Sequence, residues 1–316
     1  MTQTIFDRIA ILGVGLLGSS LAQAVRAYGG AKDIHLFDAD KEARSIAGRL
    51  LDGRVFDSAA DAVENADAVF LCVPVGALGP LTRDISSSLA HGAILTDVGS
   101  VKQKASEDMA EACPDHVHLI PGHPIAGTEK SGPTAGFADL FKEAWHILTP
   151  LPSGEPGYAA AVERLVAFWE GLGARVEQMA PDRHDRVLAI TSHLPHLIAY
   201  NIVSTAYDME SVEDGEVVKY SAGGFRDFTR IASSDPTMWR DVFLTNRDAV
   251  LETLGRFSED LAALQRAIRW GDGDALFREF TRARGIRQAV IEAGLDTDEA
   301  DFGRRSMTGT RTPEKS

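Results

Sequence analysis

"RIAILGVGLLGSSLAQAVRAYGG", residues 8–30, begins with the apolar run Ile9–Leu12, passes through three glycines and continues as an amphipathic segment to Gly29 and Gly30. A short apolar run bounded by glycine reads as a buried strand, and the segment after it reads as a helix closed by the glycine pair. Gly13, Gly15 and Gly18 therefore form GxGxxG between a strand and a helix. There the glycines permit a tight turn and let a pyrophosphate approach the helix N-terminus, where free N–H groups point outward. The loop Gly13, Val14, Gly15, Leu16, Leu17 and Gly18 is the candidate dinucleotide-binding site; the plainer reading is a strand–helix turn that holds nothing. Asp38 ends the next strand, "DIHLFDAD" (33–40), twenty residues after Gly18. A carboxylate at that place accepts hydrogen bonds from ribose hydroxyls and repels a 2′-phosphate, which favours NAD over NADP. Arg44 and Asp40 lie close enough in sequence to temper that preference.

The same alternation continues. "KEARSIAGRLLDG" (41–53) reads as helix, "ADAVFLCVP" (66–74) as strand, "GAILTDVGS" (92–100) as strand, "SVKQKASEDMAEAC" (100–113) as helix and "HVHLIPG" (116–122) as strand. "AWHILTP" (144–150) and "ARVEQM" (174–179), separated by the helical "YAAAVERLVAFWEGLG" (158–173), complete the series. Regular strand–helix alternation predicts a parallel sheet covered by helices on both faces, an α/β dinucleotide-binding domain over residues 1–180. From Asp182 strands become scarce, and residues 181–295 read as an all-α domain. Within it Val250, Leu254, Phe257, Leu261, Leu264 and Ile268 step by four and three, a heptad-like seam suited to a second long helix in this chain or in a partner. Residues 296–316 have little to bury and are expected to be a disordered tail.

Composition narrows the class. A chain of 316 residues with 44% hydrophobic and 25% charged residues is ordinary for a folded protein. Its net charge of −14 argues against general binding of nucleic acid or acidic membranes. No uninterrupted apolar run of membrane-spanning length and no secretory leader are apparent, so a cytoplasmic location is expected. Two cysteines, Cys72 and Cys113, are too few for a disulfide framework and wrongly arranged for zinc.

"PGHPIAGTEKSGP" (121–133) is rich in Gly and Pro and reads as a loop. It follows the strand "HVHLI", which sets His123 at the carboxyl edge of the sheet, where ligands of open α/β sheets bind. With "TDVGSVK" (96–102), "HDRVLAITSHLPHLIAY" (184–200), "SAGGFRDFTRIASSDPTMWRD" (221–241) and the glycine loop, it makes five motifs spread over roughly residues 8 to 290. Together these closely resemble the prephenate/arogenate (cyclohexadienyl) dehydrogenase family of tyrosine biosynthesis. The resemblance implies a Rossmann-type domain followed by a helical domain that forms a homodimer. It also implies oxidation of prephenate or arogenate with NAD(P), releasing CO2 and giving 4-hydroxyphenylpyruvate or tyrosine.

By the same resemblance His123 is the catalytic histidine and Ser100 the serine that hydrogen-bonds it and the substrate hydroxyl. Arg230 is similar to the arginine that anchors a substrate carboxylate, and His196 to the substrate-contacting histidine. Glu129 resembles a gating acid near the pocket mouth, and Trp239 a pocket residue that can come from the partner subunit. The regulatory modules fused to some relatives, a chorismate mutase segment or an ACT domain, are not expected here.

The residue chemistry agrees. Hydride leaves the carbon bearing the ring hydroxyl while a base takes the hydroxyl proton, and neutral histidine suits that step. A guanidinium presents a bidentate fork to a planar carboxylate. Plainer readings stand beside these. Ser100 is an ordinary cap for the helix that follows it. His193 and His196 could face a metal from one side of a helix, but no third ligand at a recognised spacing accompanies them, so no metal is expected. Lys102 could partner a phosphate or carboxylate, but its default reading is a surface lysine near a helix start. Two alternatives compete with the family reading: a β-hydroxyacid-type dehydrogenase, expected to carry a catalytic lysine in its helical domain, and an inactive NAD-binding sensor, expected to keep the glycine loop but lose the chemistry.

Overall fold

The computed structural model describes residues 4–128, 130–210 and 223–292. Six strands, β1 (Thr4–Leu12), β2 (Gly30–Phe37), β3 (Arg54–Val55), β4 (Ala68–Leu71), β5 (Ile94–Asp97) and β6 (His118–Leu119), form one sheet. It runs in the order β3-β2-β1-β4-β5-β6, with every pair parallel. The order reverses between β1 and β4, the crevice where doubly wound sheets take their ligands.

Side-chain alternation along β1 feeds both faces. Ile9 and Ile11 join Leu21 and Val25 of α1 (Leu16–Tyr28) and Leu165, Phe168 and Trp169 of α6 (Tyr158–Gly171) in one core cluster. Ala10 and Leu12 join Leu78 and Ile85 of α4 (Leu78–Ile85) and Met109 of α5 (Gln103–Ala110) in the other. The expected helices on both faces are present, and the helix after "RIAILGVG" ends at Gly29 as read from the glycine pair.

The loop reading of residues 121–133 needs correction at its start. Gly122–Pro124 is a strand, β7, paired antiparallel to β8 (Trp145–Leu148), which pairs parallel to β9 (Arg175–Gln178) in a separate three-stranded sheet. Composition concealed this because the strand is short and borrows its bonds: Thr149 N–H donates to Pro121 O and Ile125 N–H to Trp145 O. Pro124, with no N–H to give, sits where neighbouring residues close the ladder.

After β9 the chain is helical: α7 (Pro181–Leu188), a π-helical turn (Ala189–His193), α8 (Leu194–Glu210), then Gly223–Thr229, Pro236–Thr245, Arg247–Trp270 and Gly273–Glu292. The run Pro181–Met209 is long and apolar enough by length and composition to cross a membrane, although polar residues interrupt it throughout. It buries His184, Asp185 and His193, groups that are costly in hydrocarbon. By contacts the chain divides into two compact units. One runs to Thr205 and includes Ile231–Thr253; the other comprises Ala206–Arg230 and the chain from Leu254. Along the seam Val250 is buried, whereas Leu261 is 53% and Ile268 67% exposed. The tail expected at 296–316 lies outside the described residues.

Candidate active site

The glycine loop has the geometry the motif requires. Gly13 has φ +96°, and a Cβ there would lie 2.3 Å from Cys72 O. A Cβ on Gly18 would lie 1.9 Å from Gly13 O, so any larger residue would push α1 off the strand. Around Gly15 the space is open, and α1 begins there without a side-chain cap, leaving its first N–H groups available to an anion. Asp38 lies just beyond β2; its Oδ2 accepts from Val14 N–H at 2.8 Å and its Oδ1 from Asp40 N–H at 2.9 Å. Asp40 in turn caps α2 (Lys41–Leu50), accepting from Glu42 N–H. Arg44 is tied to the carbonyls of Asp38 and Ala39, which holds the turn that presents Asp38.

His123 is 8% exposed and stands beside a buried polar network that the sequence reading did not assemble. Its Nδ1 lies 2.8 Å from Nε2 of His184, whose Nδ1 lies 2.8 Å from Oδ1 of Asp185. Asp185 Oδ1 also accepts from Lys102 N–H and Oδ2 from Gln103 N–H, each at 2.8 Å. The carboxylate thus satisfies the first free donors of α5, so the helix is capped from α7 and not by Ser100, as the plainer reading of that serine required. Ser100 is half-buried in the turn after β5.

Lys102 is not a surface residue. It is fully buried, pairs with Asp97 and donates from Nζ to Gly122 O at 2.6 Å. Asp97 accepts from Gly122 N–H at 3.2 Å, so the pair grips both sides of the residue preceding His123. Burial lowers the Lys102 pKa, and the Asp97 carboxylate opposes that shift. Burial also drives His123 well below the ordinary histidine range, with the charges of His184 and Lys102 adding to it. His184 and His146 are lowered by burial as well, and His193 is lowered to about 4.

His193 and His196 reach this region because of the π turn. Nine residues of uninterrupted α-helix would set His193 roughly 180° from His184. A π turn spends one extra residue and takes back about 100° of that rotation. Leu194 N–H bonds Ala189 O, five residues back, and Pro195, which cannot donate to Thr191 O, makes the wider turn favourable. Asn246 bridges the result, its Nδ2 lying 2.9 Å from Asp185 O and 3.1 Å from His193 Nδ1. His196 stacks on Trp239 with ring centroids 3.7 Å apart. Trp239 is 6% exposed and packs in the core of its own chain, so the stacking partner of His196 is intramolecular. Among the residues singled out from sequence, His123, His196 and Trp239 are thereby joined by one chain of contacts through His184, Asp185, Asn246 and His193. Arg230 is exposed, opens the 3-10 turn Arg230–Ser233 and belongs to the second unit. Glu129 lies outside the described residues.

His184, Asp185, Asn246 and the buried state of Lys102 were missed from sequence. The one local signal was the adjacent pair His184–Asp185 on α7, whose first turn already carries the acidic Asp182. Among the described residues no cluster suited to a metal ion occurs.

Comparison with known proteins is concordant over nearly the whole chain. The profile described as "Prephenate dehydrogenase, nucleotide-binding domain" matches residues 21–178, and "Prephenate dehydrogenase, dimerization domain" matches residues 180–282. The chain is 41% identical over 288 residues to the cyclohexadienyl dehydrogenase of Zymomonas mobilis, covering 91% of this chain and 97% of that protein. It is 34% identical over 287 residues to the prephenate dehydrogenase of Bacillus subtilis, covering 90% of this chain and 76% of that protein. The crystal structure of prephenate dehydrogenase from Aquifex aeolicus in complex with hydroxyphenyl propionate and NAD+ superposes with a TM-score of 0.81 at 34% identity, covering 92% of this chain and 99% of that one.

Proposed function

The chain belongs to the prephenate dehydrogenase family, and from that premise we propose that it oxidatively decarboxylates prephenate, arogenate or both, with NAD as oxidant. The observation that carries the reading is His123: a buried, neutral imidazole next to Gly122, which Asp97 at the carboxyl end of β5 holds, hydrogen-bonded among the described residues only through Nδ1. Residues 1–180 are the dinucleotide-binding domain in this reading, and 181–295 the helical substrate and dimerisation domain. A cytoplasmic location belongs to the same reading and is supported by free, unpaired Cys72 and Cys113.

The open space at Gly15, the uncapped start of α1 and the carboxylate of Asp38 suit a pyrophosphate and a ribose. When bound, the nicotinamide accepts the hydride that leaves the ring carbon bearing the hydroxyl. His123 takes the hydroxyl proton as the carbonyl develops, and Ser100 offers a hydroxyl to orient that group. Loss of the ring carboxylate as CO2 then restores aromaticity. The family resemblance assigns Arg230 the fork for the substrate's carboxylate and Glu129 a gating role, and His196, held flat against Trp239, contacts the substrate. Purified protein supplied with prephenate and NAD should form NADH and 4-hydroxyphenylpyruvate; no turnover of either prephenate or arogenate would overturn the reading.

Two further outcomes follow from named residues. Asp38→Ala removes a charged acceptor that holds Val14 N–H and is aimed at a ribose. kcat/KM with NAD should fall about ten- to a hundredfold, with a smaller loss for NADP. Equal use of both cofactors by the unmodified enzyme would refute that role for Asp38. We also assign the exposed seam to a homodimer, supported by Leu261 and Ile268, which the described chain leaves uncovered. Leu261→Glu would bury an unpaired carboxylate at several kcal/mol, so sedimentation should find monomer or aggregate. An unchanged dimer would put the interface elsewhere.

A further inference from the structure

We propose that His184 and Asp185 are positioning residues that fix which nitrogen of His123 carries the proton, so that Nε2 meets the substrate hydroxyl as a bare acceptor. The inference rests on the function proposed above for its chemical meaning, but its structural content stands on hydrogen bonds alone.

A neutral imidazole has one donor and one acceptor nitrogen, and its neighbours decide which is which. Both oxygens of Asp185 face N–H donors: Oδ1 takes those of Lys102 and His184, Oδ2 that of Gln103. A carboxyl group so surrounded can only accept, so Nδ1 of His184 must carry its hydrogen. Nε2 of His184 is then a lone pair, and it lies 2.8 Å from Nδ1 of His123. His123 must therefore be protonated at Nδ1, and its Nε2 is left bare. The opposite order would aim the lone pair of His184 Nδ1 at a carboxylate oxygen. His184 is fully buried, Asp185 is 4% exposed and His123 is 8% exposed. Water cannot repair a wrong assignment at such depth, so the preference is strong.

The orientation is fixed as firmly as the tautomer. Asp185 is held by the N-terminus of α5 on its side chain and by Asn246 on its main-chain carbonyl. The Lys102–Asp97 pair grips Gly122 on the other side of His123. When Nε2 takes up the substrate proton, His123 becomes an imidazolium whose Nδ1–H still donates along a line ending in the Asp185 carboxylate. No second proton transfer is needed, because the charge is stabilised where it forms.

The test separates this role from plain packing. In His184→Gln the amide oxygen can occupy the place of Nε2 and still accept from His123, so kcat should stay within about tenfold of the unmodified protein. His184→Leu fills the space without an acceptor, and kcat should fall about a hundredfold or more. The KM for NAD should be unaltered in both. Equal losses in the two variants overturn the proposal. The direct readout is two-bond proton–nitrogen NMR of the unmodified protein, with the His123 signal assigned by its disappearance in His123→Asn. A ring protonated at Nδ1 is expected, and one protonated at Nε2 overturns the proposal even if neither His184 variant folds. Failure of the unmodified protein to turn over prephenate or arogenate would count against the function, while the NMR spectrum would still decide the tautomer of His123.

Discussion

Replacing His123 with Asn is expected to lower kcat by about 10²–10⁴-fold, the usual cost of a lost general base. The substitution is chosen because an Asn amide can reproduce the donor of Nδ1 toward His184 while offering nothing that accepts a proton. NAD binding and thermal stability should survive, since the amide keeps the hydrogen bond that the ring makes with His184. The sign of the pH dependence follows from burial. The folded-state pKa of His123 lies well below 6.5, so the neutral, competent form persists under mildly acidic conditions. kcat should stay level through neutrality and decline only as pH falls through that lowered value. A variant with near-normal kcat and the same acidic decline would show that another group takes the proton.

The second large effect concerns stability. Lys102→Met should destabilise the protein by about 3–5 kcal/mol, the range for removing one member of a buried ion pair and stranding the other. Both side chains of the pair are fully buried, so Asp97 would face the interior with, among the described residues, the N–H groups of Gly99 and Gly122 to satisfy it. Denaturant titration would read the loss, and the size of that loss should change little between low and high salt because a buried pair is poorly screened. A loss below about 1 kcal/mol would mean that solvent reaches the carboxylate. Since Lys102 also holds Gly122 O, the variant should lose activity even where it is folded.

What could be read from the chain was whatever is local. The apolar runs of β1, β4 and β5, the glycine turn and the glycine-to-glycine span of α1 each carry their signal within a few residues, and the sheet followed from their alternation. β7 escaped because its evidence is not in Gly122–Pro124 but in the carbonyls and N–H groups of β8. Lys102 looked like an exposed lysine although Asp97 is five residues away, because its other contacts are remote in sequence: the Gly122 carbonyl on its ammonium lies 20 residues on, and Asp185 on its N–H lies 83. His184 stands within a recognisable motif yet had no evident task, since the ring it touches is 61 residues distant. Resemblance gives roles to individual residues; the wiring between them exists only in the folded chain.

The π turn at Ala189–His193 has a consequence for how this site can change by mutation. A helix keeps phase, and the extra residue of that turn lets His193 and His196 keep a common phase with His184 across a spacing that plain helix would turn the other way. Deleting one of Ala189, Ile190, Thr191 or Ser192 and relaxing the segment into ordinary α-helix leaves eight steps of about 100° between His184 and His193, the same phase that nine residues reach through the π turn. His196 should then stay against Trp239 and His193 near Asn246. Straightening the turn with all its residues kept would instead swing everything downstream by about 100° and break both contacts. The site is therefore more tolerant of a lost codon in this turn than of a change that removes its bulge.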